Sequence, residues 1–143
     1  MGAPLIPALK KDGRLRWCVD FRRLNDFTVK DRYPLLLFQG NLGKNRFFST
    51  IDGTGAYNNL SIRKSDWPLI AFLTPWGQKQ FRRMPFGLCN APQAYSRLVE
   101  MVLRGLDPRQ VLAYLDDILV HSRTMEDHIQ MLERYCKHTR KQA

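Results

Sequence analysis

The first readable element is a hairpin. Lys10-Lys11-Asp12-Gly13 ends in a turn dipeptide, and Leu15-Arg16-Trp17-Cys18-Val19 alternates apolar and polar positions after it. Phe47-Phe48-Ser49-Thr50-Ile51 is a short aromatic and β-branched run that predicts a buried strand ending at Asp52. Ala71-Phe72-Leu73-Thr74 and Gln80-Phe81 predict two more strands joined through Pro75-Trp76-Gly77. Asn90 ahead of Ala91-Pro92 is a cap-then-proline helix start, with Ala94, Leu98, Met101 and Val102 on one face and a stop near Gly105. Val111–Leu115 and Ile118–Val120 predict strands flanking Asp116-Asp117, a hairpin with acids at its tip. Thr124 and Asp127 then cap a final helix that turns Ile129, Leu132 and Cys136 inward. Strands, a helix, a hairpin and a helix in that order predict an α+β domain, an antiparallel sheet with helices on one face.

Composition narrows the class. A chain of 143 residues fits one small domain or a piece of a larger one, and 44% apolar with 25% charged residues excludes wholesale disorder. No run approaches the roughly 18 apolar residues of a membrane span, and the start lacks a basic segment ahead of a long apolar core. Cys18, Cys89 and Cys136 are far apart and form no CxxC pair, which argues against a disulfide framework or a zinc site. The expectation is an intracellular protein, cytoplasmic or nuclear, with no membrane partner. The net charge of +10 adds direction, because residues 1–50 carry ten basic and four acidic side chains while residues 101–143 carry seven and six. That asymmetry suits a polyanion held by the first part of the chain.

The acids carry the chemistry. Asp116-Asp117 sits between two apolar segments, where adjacent like charges repel and a divalent cation would use both. A plain turn and a metal site both remain open on spacing alone. Asp52 would add a third carboxylate if its strand lies beside the hairpin, and carboxylate oxygens suit Mg²⁺. Two such ions clamp the attacking and leaving oxygens of a phosphoryl transfer. His121, His128 and His138 form no metal-binding spacing, and Cys89 and Cys136 read as packing residues.

Four motifs in order resemble the reverse transcriptases of Ty3/Gypsy-type LTR retrotransposons. Tyr114-Leu115-Asp116-Asp117 is similar to their Tyr-x-Asp-Asp box, and Met84-Pro85-Phe86-Gly87-Leu88-Cys89-Asn90-Ala91-Pro92 to their nucleotide-pocket segment. Lys10–Gly13 with Arg16–Arg22 and Leu24-Asn25 resembles the fingers hairpin, and Phe48–Asp52 with Tyr57 the first catalytic segment.

The resemblance implies RNA-directed DNA polymerase activity on an RNA or DNA template–primer, with deoxynucleoside triphosphates as substrates and two Mg²⁺ ions, or Mn²⁺ in their place. Asp52, Asp116 and Asp117, with the carbonyl of Gly53, would hold the metals. Lys10 and Arg16 would grip the triphosphate, Tyr57 would exclude a 2′-hydroxyl, and Phe86 with Gly87 would form the floor under the new base pair. Arg22 and Asn25 would lie near the template, and Arg82-Arg83 with Arg63-Lys64 supply further basic contacts. The expected organisation is one partial domain, a fingers part over about 1–46 and a palm-like part over about 47–143. The family's thumb, RNase H and integrase are expected to fall outside it, with Met1 a fortuitous start. Gly53, Asn58-Asn59, Leu69-Ile70 and the Pro34–Phe38 run depart from the family pattern. A second reading is therefore a non-catalytic relic that binds nucleic acid through its basic half. RNA-directed RNA synthesis, a third, is disfavoured by the bulk of Tyr57.

Overall fold

A computed structural model of the chain describes residues 2–9, 11–34, 42–53, 55–107, 109–114 and 117–140. In chain order its elements are β1 (Leu5–Leu9), β2 (Leu15–Val19), α1 (Arg22–Phe27), β3 (Phe47–Asp52), β4 (Ala71–Thr74), β5 (Gly77–Gln80), α2 (Ala91–Leu103), β6 (Val111–Tyr114), β7 (Asp117–Ser122) and α3 (Met125–Arg140). Short 3-10 segments cover Leu42–Lys44, Ala56–Asn59 and Lys64–Ile70. The elements form two compact units that interleave along the chain, one of residues 1–31 and 55–91, the other of residues 32–54 and 92–143.

Two hairpins build the first unit. β1 and β2 pair antiparallel from Leu5 opposite Val19 to Leu9 opposite Leu15. Their turn is tied by the Asp12 carboxylate, which accepts from the Arg14 backbone N–H at 3.0 Å, and by Gly13 at φ +80°. β4 and β5 pair from Ala71 opposite Gln80 to Thr74 opposite Gly77, so the turn is Pro75-Trp76 alone and Gly77 opens the second strand. Phe81 leaves that strand and stacks on Phe72 with ring centroids 4.8 Å apart, while Phe21 meets Phe81 edge-on at 6.5 Å. Backbone bonds from Ala3 N–H to the Ala71 carbonyl (2.8 Å) and from Leu73 N–H to the Ala3 carbonyl (2.9 Å) join the first residues to β4.

The second unit is a three-stranded antiparallel sheet in the order β3-β7-β6. Central β7 is buried from Ile118 to Ser122 except for half-buried Leu119, whereas β3 alternates half-buried and exposed residues. Phe47, Ser49 and Ile51 therefore face α3, and Phe48, Thr50 and Asp52 face away from it. The start of α3 is capped as expected. The Thr124 hydroxyl accepts from the Asp127 N–H at 3.2 Å and donates to the Asp127 carboxylate at 2.8 Å.

Both long helices turn other faces inward than the apolar pattern predicts. On α3 the buried residues are His128 and Met131, while Ile129 is 52% exposed and Cys136 is exposed, so Cys136 is not a packing residue. On α2 the buried positions are Ala91, Tyr95, Ser96 and Val99, and Met101 is 57% exposed. His128 is inward because the sheet satisfies both of its ring nitrogens. Ser122 gives its single proton to the Thr124 carbonyl at 3.0 Å, so its oxygen accepts from His128 Nδ1–H at 2.9 Å. His128 Nε2 then accepts from the Ser49 hydroxyl at 2.9 Å. Three polar side chains from β3, β7 and α3 thus pin helix to sheet.

His121 on β7 gives the fold an acid sensitivity. It is 4% exposed, its Nδ1 accepts from Asn45 Nδ2 at 2.8 Å, and its Nε2 has no hydrogen-bond partner among the described residues. Burial, with the His128 ring as the smaller cause, holds its pKa below the ordinary 6.5. The unfolded chain therefore binds this proton more tightly than the folded one. The stability it contributes is complete above about pH 6.5 and is lost as pH falls below that value. Urea unfolding followed by circular dichroism should show a lower midpoint at acid than at neutral pH. His121→Phe should lessen that drop, and an equal drop in the variant would assign the acid sensitivity to other groups.

Candidate active site

The sheet register decides where the acids stand. β3 lies beside β7, and the last rung of their ladder sets Asp52 opposite Asp117. Directly opposed residues project to the same side of a sheet with Cβ atoms roughly 4.5–5.5 Å apart. Both acids are exposed and lie on the side facing away from α3. Tyr114 pairs with Asp117 on the other edge of β7, so Asp117 is a strand residue. Asp116 falls outside the described residues, and no group of three metal-ligating side chains occurs among those that are described.

Two carboxylates opposed on neighbouring strands repel, which a sheet tolerates at a cost in stability. The donor set suits a hard divalent cation. It offers carboxylate oxygens from Asp52 and Asp117, with the backbone carbonyl of Gly53 next in the chain. Neither a nitrogen nor a sulfur ligand stands opposite them in the ladder.

A second cluster belongs to the first unit. Gly55, in the left-handed region at φ +64°, starts the Ala56–Asn59 segment that carries Tyr57. Tyr57 meets Phe86 edge-on with centroids 5.1 Å apart and planes at 76°. The Arg16 guanidinium from β2 lies over the same Phe86 ring, 5.0 Å from its centroid. Three residues spread over 71 positions of sequence thus converge on one aromatic face. Gly87, at φ +96°, turns the chain directly after Phe86 where a side chain would be strained. Lys10 lies outside the described residues.

Asn25 is committed to this cluster. Its amide nitrogen donates to the Gly87 carbonyl at 2.8 Å, and its amide oxygen accepts from the Cys89 N–H at 2.9 Å. Asn90 makes the matching bracket from the other side, accepting from the Asp31 N–H at 3.1 Å and donating to the Val29 carbonyl at 2.8 Å. Two asparagine side chains therefore hold the ends of the segment after Phe86. The sequence reading missed this bracing. No local pattern signals it, because Asn25 bonds the Gly87 turn, and Asn90 bonds Val29, across some sixty residues.

The candidate nucleic-acid contacts fare unevenly. Arg22 is held by Asp20, whose carboxylate takes bonds from Arg22 Nε and Nη2 and from its backbone N–H. The Arg22 guanidinium and N–H hold the Asp20 carboxyl down to about 2, so the pair is near neutral over the ordinary pH range. Asp12 with Arg14 and Asp107 with Arg109 repeat the arrangement. Arg83 Nη1 donates to the Asn59 carbonyl at 3.0 Å, and the Arg82 guanidinium lies 5.5 Å over the Trp67 ring, both side chains staying exposed. Arg63 is exposed on the strand-like stretch beside them, where Ile62 N–H bonds the Arg82 carbonyl at 3.2 Å. By composition the first unit has twelve basic side chains against five acidic ones, and the second eleven against eight.

Comparison with known proteins places the chain. A family model described as reverse transcriptase (RNA-dependent DNA polymerase) matches residues 8–142. The chain is 34% identical over 133 residues to the retrovirus-related Pol polyprotein from transposon 297 of Drosophila melanogaster, covering 91% of this chain and 13% of the relative. It is 34% identical over 125 residues to that from transposon gypsy of the same organism, covering 85% and 12%. The transposon Tf2-3 polyprotein of Schizosaccharomyces pombe is 33% identical over 129 residues, covering 88% and 10%. Among solved structures, the foamy viral protease-reverse transcriptase in complex with double-stranded DNA superposes with a TM-score of 0.81 at 26% identity, over 99% of this chain and 24% of that one. The same enzyme in complex with an RNA/DNA hybrid gives 0.80 at 26% identity, over 96% and 19%.

Proposed function

Because the chain belongs to the reverse transcriptase (RNA-dependent DNA polymerase) family, we propose that it is the fingers–palm part of a Ty3/Gypsy-type retrotransposon polyprotein that adds deoxynucleotides to a primer on an RNA or DNA template. The observation that carries this reading is the opposed pair Asp52 and Asp117 at the open end of the β3–β7 ladder. A fold gains nothing from two exposed acids in register, and a metal-dependent nucleotidyl transfer needs them.

In this reading Asp52, Asp117, the Gly53 carbonyl and Asp116 hold two Mg²⁺ ions, with Mn²⁺ as the substitute. Bound there, the metals supply Lewis acidity to the attacking and leaving oxygens. The protein's own side chains do the selecting. Arg16, whose guanidinium carbon lies 5.0 Å over the Phe86 ring, would offer its N–H groups to the triphosphate. Lys10 adds charge to the same group. Phe86 and Gly87 form the floor beneath the new base pair, kept in shape by the Asn25 bracket. Tyr57, set edge-on against Phe86, would exclude a 2′-hydroxyl by its bulk.

The test is primer extension by a Ty3/Gypsy-type reverse transcriptase whose aligned segment is replaced by residues 1–143. Mg²⁺-dependent addition of deoxynucleotides is expected. A folded, nucleic-acid-binding chimera that adds none would favour the relic that only binds.

Binding has its own expected result. The chain should hold RNA or DNA weakly and without sequence preference, since its contacts are phosphate contacts. Each neutralised phosphate contributes a slope of about −0.9 in log K against log salt on duplex DNA. A salt titration by fluorescence anisotropy measures this, and affinity that does not change with salt would contradict it.

A further inference from the structure

The turn of the β4–β5 hairpin carries a tryptophan that the proposed reaction does not use. Trp76 is 85% exposed, although a large apolar side chain left in water forgoes the free energy of burial. Its position is fixed rather than loose. Thr74 and Gly77 are the last paired residues, so only Pro75 and Trp76 form the turn, and Thr74 Oγ1 donates across it to the Gly77 carbonyl at 2.6 Å. Pro75 locks its own φ, and Gly77 takes the positive φ of +108° that closes the turn.

The charge along this part of the chain is of one sign. Every residue of β5 is exposed, Lys79 among them, and exposed Arg82 and Arg83 come after Phe81. No Asp or Glu occurs from Trp67 to Val99. An exposed aromatic ring on a short, closed turn in a basic stretch suits a ligand with flat apolar faces and a negative backbone. A second copy of this chain would bring its own excess of positive charge to the contact.

We infer that the β4–β5 turn is a stacking contact for single-stranded RNA or DNA, in which Trp76 takes the face of an unpaired base and Lys79 and Arg82 take neighbouring phosphates. Duplex is excluded from this contact because its base faces are already stacked. The inference rests on the nucleic-acid-binding part of the proposed function, and it fits an enzyme whose template is unpaired ahead of the primer end.

The experiment compares the full chain with Trp76→Ala and Trp76→Phe by fluorescence anisotropy, using labelled oligo(dT), oligo(rU) and a blunt duplex at low salt. Trp76→Ala should bind the two single strands roughly 5- to 100-fold more weakly while its duplex affinity stays unchanged. Trp76→Phe should keep most of the single-strand affinity. Oligo(dT) should also quench the intrinsic fluorescence of the wild-type chain, and that quenching should shrink in Trp76→Ala. Because the ring touches solvent on most of its surface, the alanine variant is expected to fold, which circular dichroism verifies. If the wild-type chain binds strands and Trp76→Ala binds them equally, the stacking contact is wrong and the wider reading stands. If the wild-type chain binds no nucleic acid, both fall. If Trp76→Ala instead turns a dimer into a monomer in sedimentation, the turn is an interface between copies and the inference is overturned.

Discussion

Asp52→Asn is expected to abolish primer extension and, in the same protein, to raise stability slightly. The two effects have one cause. Asp52 stands opposite Asp117 on the final rung of the β3–β7 ladder, so in the absence of metal each carboxylate raises the energy of the other. Cross-strand pairs of this kind contribute about 0.2–1 kcal/mol, and like charges set directly opposite are destabilising. Asparagine keeps the shape and removes the charge. The metal-free variant should therefore unfold at a slightly higher temperature. In the chimeric polymerase the same change would remove a charge from the proposed metal site, and losing one preorganised electrostatic group costs roughly 100- to 1,000-fold in rate. Mg²⁺ gives an independent reading. It should raise the melting temperature of the wild-type chain by binding only the folded state, and should do so less in Asp52→Asn. Wild-type activity in the variant would remove Asp52 from the metal site. A melting temperature that falls instead of rising would mean that Asp52 has a structural partner.

Much of this geometry could be read before the structure was known, and the parts that could not share a physical reason. The strand ending at Asp52, the pairing of β6 with β7 and the Thr124–Asp127 cap are written in neighbouring residues, although Asp117 opens β7 instead of lying between the strands. Local alternation and capping chemistry suffice for them. α1 has no such signal. It is six residues long, lacks a capping side chain and an acid in its first turn, and buries nothing. The inward faces of α2 and α3 are not legible in the sequence because two overlapping apolar stripes fit each helix, and only the neighbouring elements choose between them. For α3 the choice is made by Ser49 and Ser122, which reward a histidine over the isoleucine next to it.

The site divides the same way. Arg16, Tyr57 and Phe86 are unremarkable one at a time, since each would ordinarily be a surface charge or a packing ring. Their convergence is a property of the fold. Asn25 reads as a template contact because it follows the hairpin motif, yet both ends of its amide are already taken by the backbone of Gly87 and Cys89. Arg22 likewise carries a charge that Asp20, two residues earlier, already balances. Counting basic residues therefore overstates the charge available to a phosphate backbone, and exposed Lys79, Arg82 and Arg83, with no acidic residue between Trp67 and Val99, matter more than their number suggests.

Tyr57→Ala tests the nucleotide pocket from the other side, because it should change which sugar is accepted rather than whether chemistry occurs. The ring is half-buried and edge-on to Phe86, so it is held by packing and cannot swing aside without losing a contact worth about 0.5–1.5 kcal/mol. A ribose hydroxyl pressed against such a ring must displace it. Removing the ring removes that penalty, and discrimination against ribonucleotides should fall by roughly 100-fold, the scale on which a pocket rejects a slightly larger ligand. Deoxynucleotide addition should persist with a higher KM, since Phe86 and the Arg16 guanidinium above it lose their lateral support. Tyr57→Phe keeps the ring and should keep the selectivity, which separates bulk from the hydroxyl. The measurement is kcat/KM for matched ribo- and deoxynucleotides in the chimeric polymerase, on one template and at one Mg²⁺ concentration. If Tyr57→Ala remained active with its sugar selectivity intact, the gate would lie elsewhere and the Tyr57–Phe86 pair would be packing alone.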